Sequence, residues 1–203
     1  MTVRDTSNSG PSPATSLPNL LTYGRILAVP VMVAAFYLQG TGARWTVLAV
    51  FVVAALMDFL DGYVARAWGQ TSRWGQMLDP IADKLLVATS ILLLVAWETI
   101  GGASLIAAIV ILCREVLVSG LREFLATAQV SVPVTLLAKW KTTIQLIALA
   151  LLIAGPAGDA LFPYTTAAGL AGLWVAAILT LYTGFDYFIA GFRHATDHNA
   201  RRG

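Results

Sequence analysis

Residues 45–66 read WTVLAVFVVAALMDFLDGYVAR. The run opens with thirteen uncharged residues and then, still in apolar company, places Asp58, Asp61 and Arg66. Roughly 20 apolar residues form a helix long enough to cross a bilayer core of about 30 Å. A charge at the bilayer centre costs about 2.5–3.5 kcal/mol, so acids ending such a run belong in a wet or cation-filled place. This one segment points both to a membrane fold and to the position of its chemistry.

Comparable runs lie near residues 24–39, 78–97, 103–124, 138–154 and 167–190, separated by Gly, Pro and polar residues at 39–44, 67–75, 98–102, 126–133 and 155–163. No internal repeat is visible. Of 203 residues, 58% are hydrophobic and 12% charged, about half the charged share of a soluble domain. Mean hydropathy is +0.75. This composition argues against a soluble enzyme, a disordered chain and a nucleic-acid-binding protein. A single cysteine, Cys113, excludes an internal disulfide and a cysteine metal cluster.

The expected fold is an all-α membrane protein of six transmembrane helices, preceded by a short interfacial helix at 17–25 (LPNLLTYGR). Residues 1–16 read as a flexible tail and not a signal peptide, because no apolar h-region follows a basic start. Residues 17–192 form the membrane domain and 193–203 a polar tail. Six spans put both termini on one side. Of thirteen Lys and Arg residues, twelve fall on or nearer that side, and only Arg44 falls on the other. The positive-inside rule then makes both termini cytoplasmic.

Four of the eleven acids lie between positions 58 and 83: Asp58, Asp61, Asp79 and Asp83. On a helix at about 100° per residue, Asp58, Asp61, Gly62, Ala65 and Arg66 share a face of roughly 140°, and Gly75, Asp79 and Asp83 form a stripe roughly 80° wide. A hairpin of spans 2 and 3 can turn the two stripes together. Oxygen-only donors suit hard divalent cations such as Mg²⁺ or Mn²⁺. Gly62, Ala65 and Gly75 leave room for a bulky ligand, and the fork of Arg66 matches phosphate oxygens. Pro80 kinks or begins the third span. A plain set of salt bridges to Arg66, Arg73 and Lys84 would leave those small residues unexplained.

In full, the segment is Asp58-Phe-Leu-Asp61-Gly62-Tyr-Val-Ala65-Arg66, eight residues, then Gly75-Gln-Met-Leu-Asp79-Pro-Ile-Ala-Asp83. It resembles the D-x-x-D-G-x-x-A-R-x8-G-x-x-x-D-x-x-x-D signature of the CDP-alcohol phosphatidyltransferases at all eight fixed positions. The stretches PNLLTYGRI, LDPIADKLL, REVLVSGLREFLA and AKWKTTIQLIALALL resemble the bacterial branch whose acceptor is sn-glycerol 3-phosphate.

The resemblance implies transfer of a phosphatidyl group from CDP-diacylglycerol to glycerol 3-phosphate, with release of CMP, in a multi-pass protein of the bacterial inner membrane whose site faces the cytoplasm. It implies a pair of Mg²⁺ or Mn²⁺ ions on Asp58, Asp61, Asp79 and Asp83, with Asp83 as general base. Asp61, Gly62, Ala65, Arg66 and Gly75 would contact the CDP moiety. Thr22 and Arg25 resemble a recurring N-terminal element bordering that donor site. A homodimer is implied as well, although the small pair Ala168 and Gly172 is by itself too weak a packing signal to place its face. The dianionic acceptor needs cations of its own. Arg114 and Arg122, about 80° apart around one helix, and Lys139 are the expected clamp. Lys141 and Arg122 also fit snorkelling residues at helix ends. His194 and His198 read as solvated tail residues. The alternatives are a relative using another acceptor (cardiolipin, phosphatidylserine or phosphatidylinositol-phosphate synthesis), an aspartate-rich prenyltransferase, and a divalent-cation transporter. The last two sit poorly with a single acid cluster near helix ends and no inverted repeat.

Overall fold

The computed structural model describes residues 17–38, 40–68, 73–127 and 136–200, and the side chains of 19–38, 40–60, 77–127, 137, 140–185, 188 and 189. The expected tail over 1–16 lies outside them. These residues form six helices: α1 (Leu17–Phe36), α2 (Thr41–Trp68), α3 (Arg73–Ala96), α4 (Ser104–Thr127), α5 (Leu136–Asp159) and α6 (Thr165–Ala200). All but α3 contain a segment long and apolar enough to cross a membrane. In α3 the apolar run is interrupted by Asp79, Asp83 and Lys84. The protein is a multi-pass membrane protein. Its surface fits lipid, since large side chains such as Leu27, Leu92, Leu117 and Ile178 are exposed.

Three expectations about helix ends change. The separate interfacial helix over 17–25 is instead the beginning of one continuous α1. Its polar residues Asn19, Thr22 and Arg25 are buried, so that face meets a polar interior and not the headgroup region. The last helix runs past the expected span end near 190, with its backbone helical to Ala200. At about 1.5 Å per residue its 36 residues measure about 54 Å, well beyond a bilayer core. Pro80 lies inside α3 and does not begin it.

The core is built from Met32, Phe51, Leu86, Ile91, Leu94, Ile111, Leu149, Leu152 and Leu173 with smaller neighbours. Among the described residues, α1 packs against both α2 and α3, which touch each other only sparingly. The expected α2–α3 hairpin pairing is thus opened by α1, which lies between. The α5–α6 pair packs most extensively. A Cβ on Gly169 would come within 2.8 Å of Leu152, and one on Gly172 within 3.0 Å of Ala148. These small residues let the two helices approach closely within one chain.

The α5–α6 turn is held by Asp159, whose two oxygens accept from Thr166 N at 2.9 Å and Thr166 Oγ1 at 2.6 Å. This satisfies an N–H that the first turn of α6 cannot pair internally. The expected break at Gly155–Pro163 appears as a kink. Gly155 adopts φ 46°, ψ −130°, and α5 continues to Asp159.

Candidate functional site

The acids of α2 and α3 meet on a residue of α1. Arg25 is fully buried and ion-pairs with Asp58 of α2 and, at 3.0 Å, with Asp79 of α3. Thr22, one turn earlier on the same buried face, donates to Asp79 Oδ1 at 2.6 Å. A guanidinium in a low-dielectric interior carries a desolvation penalty of several kcal/mol that only close charge partners offset. Two carboxylates supply them. The carboxylates themselves stay open, with side-chain exposures of 39% for Asp58 and 46% for Asp79. The arrangement is a buried cation with two acids above it, each still reachable from outside.

Asp83 stands one turn beyond Asp79 on α3 and is half-buried. It lies within electrostatic range of Asp58 on one side and Glu115 of α4 on the other, with Lys84 and Arg25 also near. Lys84 itself donates back to Pro80 O at 3.0 Å. Asp61, Gly62, Ala65 and Arg66 continue α2, and Gly75 lies in the first turn of α3. Their side chains fall outside those described. Among the described residues no three Asp, Glu, His or Cys side chains gather into a metal-binding set; Asp61, the fourth acid of the expected set, is not among them.

A second polar group adjoins the first. Glu115 on α4 ion-pairs with the buried Lys141 of α5 and, at 3.3 Å, with Arg114. Arg114 also donates to Thr180 O at 3.1 Å and Thr183 Oγ1 at 3.0 Å on α6. Its side chain lies over Gly184, where a Cβ would meet it at 3.3 Å. Lys141 is within electrostatic range of Asp83. One turn on, Gln145 is buried with its Oε1 unpartnered among the described residues. Of the expected clamp, Arg114 is therefore inside this group. Arg122, about 12 Å further along α4, is exposed, and the side chain of Lys139 lies outside those described.

Lys141 is not a snorkelling end residue. It is buried and paired with Glu115. The available signal was the i, i+4 pair Lys141 and Gln145 leading into the apolar run 146–154, which places both on one helix face.

The two carboxylates on Arg25 and the adjoining Arg114–Glu115–Lys141 group thus lie together in a lipid-facing bundle. The family model for CDP-alcohol phosphatidyltransferase matches residues 15–182, and the chain belongs to that family. Among curated relatives, the CDP-diacylglycerol–glycerol-3-phosphate 3-phosphatidyltransferase of Rickettsia felis is 46% identical over 86% of this chain and 94% of its own length. Proteins of the same name from Cereibacter sphaeroides and Escherichia coli K12 are 40% and 38% identical over 85% and 86% of this chain, and each is covered to 94%.

Proposed function

We propose that this chain transfers the phosphatidyl group of CDP-diacylglycerol to sn-glycerol 3-phosphate, forming phosphatidylglycerol phosphate and CMP. The observation that carries the reading is the convergence of the signature acids Asp58 and Asp79 on Arg25, with Asp83 leading from them to the Arg114–Glu115–Lys141 group. The full-length relatives carry the name of this reaction.

The family's divalent-metal chemistry suits the residues present: Asp58 and Asp79 are hard oxygen donors already sharing one positive charge. Asp58, Asp61, Asp79 and Asp83 would hold the metal, two Mg²⁺ or Mn²⁺ ions in our reading. When bound, such ions neutralise the donor diphosphate and stabilise the departing CMP. The residues Asp61, Gly62, Ala65, Arg66 and Gly75 contact the CDP moiety. Arg114, Arg122 and Lys139, with Lys141 added, hold the acceptor phosphate by charge-assisted hydrogen bonds. Asp83 takes the proton from the acceptor's primary hydroxyl as its oxygen bonds to the phosphorus bearing diacylglycerol. The bond from that phosphorus to the bridging oxygen breaks, and CMP leaves with the electron pair.

All six helices span the membrane in this reading, and the site faces the cytoplasm, the side that the Lys and Arg asymmetry makes internal. The protein works as a homodimer. Light scattering of the purified protein checks the last point. The reaction is tested by CMP release from CDP-diacylglycerol, with and without Mg²⁺, using glycerol 3-phosphate, phosphatidylglycerol, serine and inositol phosphate as acceptors. Release with glycerol 3-phosphate alone supports the assignment; preference for another acceptor, or no release, overturns it.

A further inference from the structure

The end of the bundle away from the acids holds a cleft of about 480 Å³ between the end of α1, the start of α2, Trp97 after α3 and the kinked end of α5. Arg44 is the cation in it. Its Nη1 donates to Leu152 O at 3.4 Å and Ile153 O at 3.3 Å, and its Nη2 to Thr99 Oγ1 at 2.9 Å. Its guanidinium also lies 4.5 Å from the ring centre of Trp97. Local chemistry explains these partners. Pro156 has no N–H to offer Leu152 O four residues back, and the turn at Gly155 breaks the helix path between. Arg44 serves the carbonyls that the kink exposes.

Every one of these partners is neutral. Among the described residues no carboxylate lies within ion-pair distance of Arg44. Of the acids near this end, Asp159 accepts from Thr166 with both oxygens, and neither it nor Glu98 lines the cleft. A guanidinium that is dipole-solvated but not neutralised attracts an anion. Around it the cleft is mixed, with Phe36, Leu38, Pro156 and Ala160 as apolar lining beside Thr41. A cation beside apolar side chains at the end of a lipid-facing bundle matches a headgroup phosphodiester followed by the first methylenes of an acyl chain. A zwitterionic headgroup would bring an ammonium for which the cleft has no carboxylate.

We propose that this cleft binds one acidic phospholipid of the leaflet opposite the reaction site, held through its phosphodiester by Arg44. The test is native mass spectrometry of the delipidated full chain in detergent, titrated separately with phosphatidylglycerol, phosphatidylcholine and inorganic phosphate. The wild type retains one phosphatidylglycerol per chain, phosphatidylcholine binds more weakly, and phosphate alone leaves no adduct. Arg44→Gln and Ala160→Trp each weaken phosphatidylglycerol retention at least about tenfold, the size of one lost charge-assisted contact, and Asp58→Asn leaves it unchanged. Ala160→Trp fills the cleft and spares the bonds of Arg44, so it decides the matter if Arg44→Gln does not fold. Equal retention in wild type and Ala160→Trp overturns the proposal. So does loss in Asp58→Asn, equal binding of phosphatidylcholine, or binding of phosphate alone as tight as that of the lipid.

Discussion

The guanidinium of Arg25 on α1 lies 3.0 Å from the carboxylate of Asp79 on α3, and the same buried group ion-pairs with Asp58 on α2. Three helices are thereby tied at one point by charge. Removing the cation leaves two acids facing each other. Arg25→Ala should lower stability by about 1–3 kcal/mol, below the figure for fully buried pairs because both acids are partly exposed. Millimolar Mg²⁺ should recover more of the thermal midpoint in this variant than in the wild type, and chelation should remove that gain. Thermal unfolding in detergent reads both; a Mg²⁺ response equal to that of the wild type would show that the acids do not share a cation site.

Asp58→Ala, Asp61→Ala and Asp79→Ala should each abolish CMP release while the protein still elutes as a folded species. Circular dichroism and size exclusion check the fold, and near-normal turnover in any of the three would count against a metal clamp there.

Arg114→Ala and Lys141→Ala should act mainly on the acceptor. We expect KM for glycerol 3-phosphate to rise about 10- to 100-fold, as for loss of a charged hydrogen bond, with KM for CDP-diacylglycerol nearly constant. Steady-state kinetics in mixed micelles separates the two constants. An unchanged acceptor KM would remove the residue from that site.

Gly155→Ala should destabilise without touching catalysis. Its φ is +46°, and a Cβ would lie 2.5 Å from Arg44 Nη1, so strain of about 1–3 kcal/mol is expected. The thermal midpoint should fall, and activity per folded molecule should hold, because the acids are at the other end of the bundle.

The approach of Asp58 and Asp79 was foreshadowed because each belongs to a set of acids three or four residues apart, where helix geometry alone sets a common face. The role of Arg25 was visible only as a resemblance: its partners are 33 and 54 residues away, and no local spacing encodes them. The polar face of Asn19, Thr22 and Arg25 was misplaced for a related reason. A helix turned toward headgroups and one turned toward a polar interior have the same periodicity. Lys141 was misread because closeness to a helix start suggests snorkelling, and only the fold brings Glu115 to it. At Gly155 the residue types signalled a break, but Arg44 pairs the carbonyls of Leu152 and Ile153 before it and the helix resumes beyond the kink.

Arg25 precedes both of its acids in the chain, so during synthesis the ribosome delivers the positive charge to the membrane first. The later helices, each bearing carboxylates, arrive where a counter-ion already waits. Chain order thus makes the first helix an insertion aid for the two that follow.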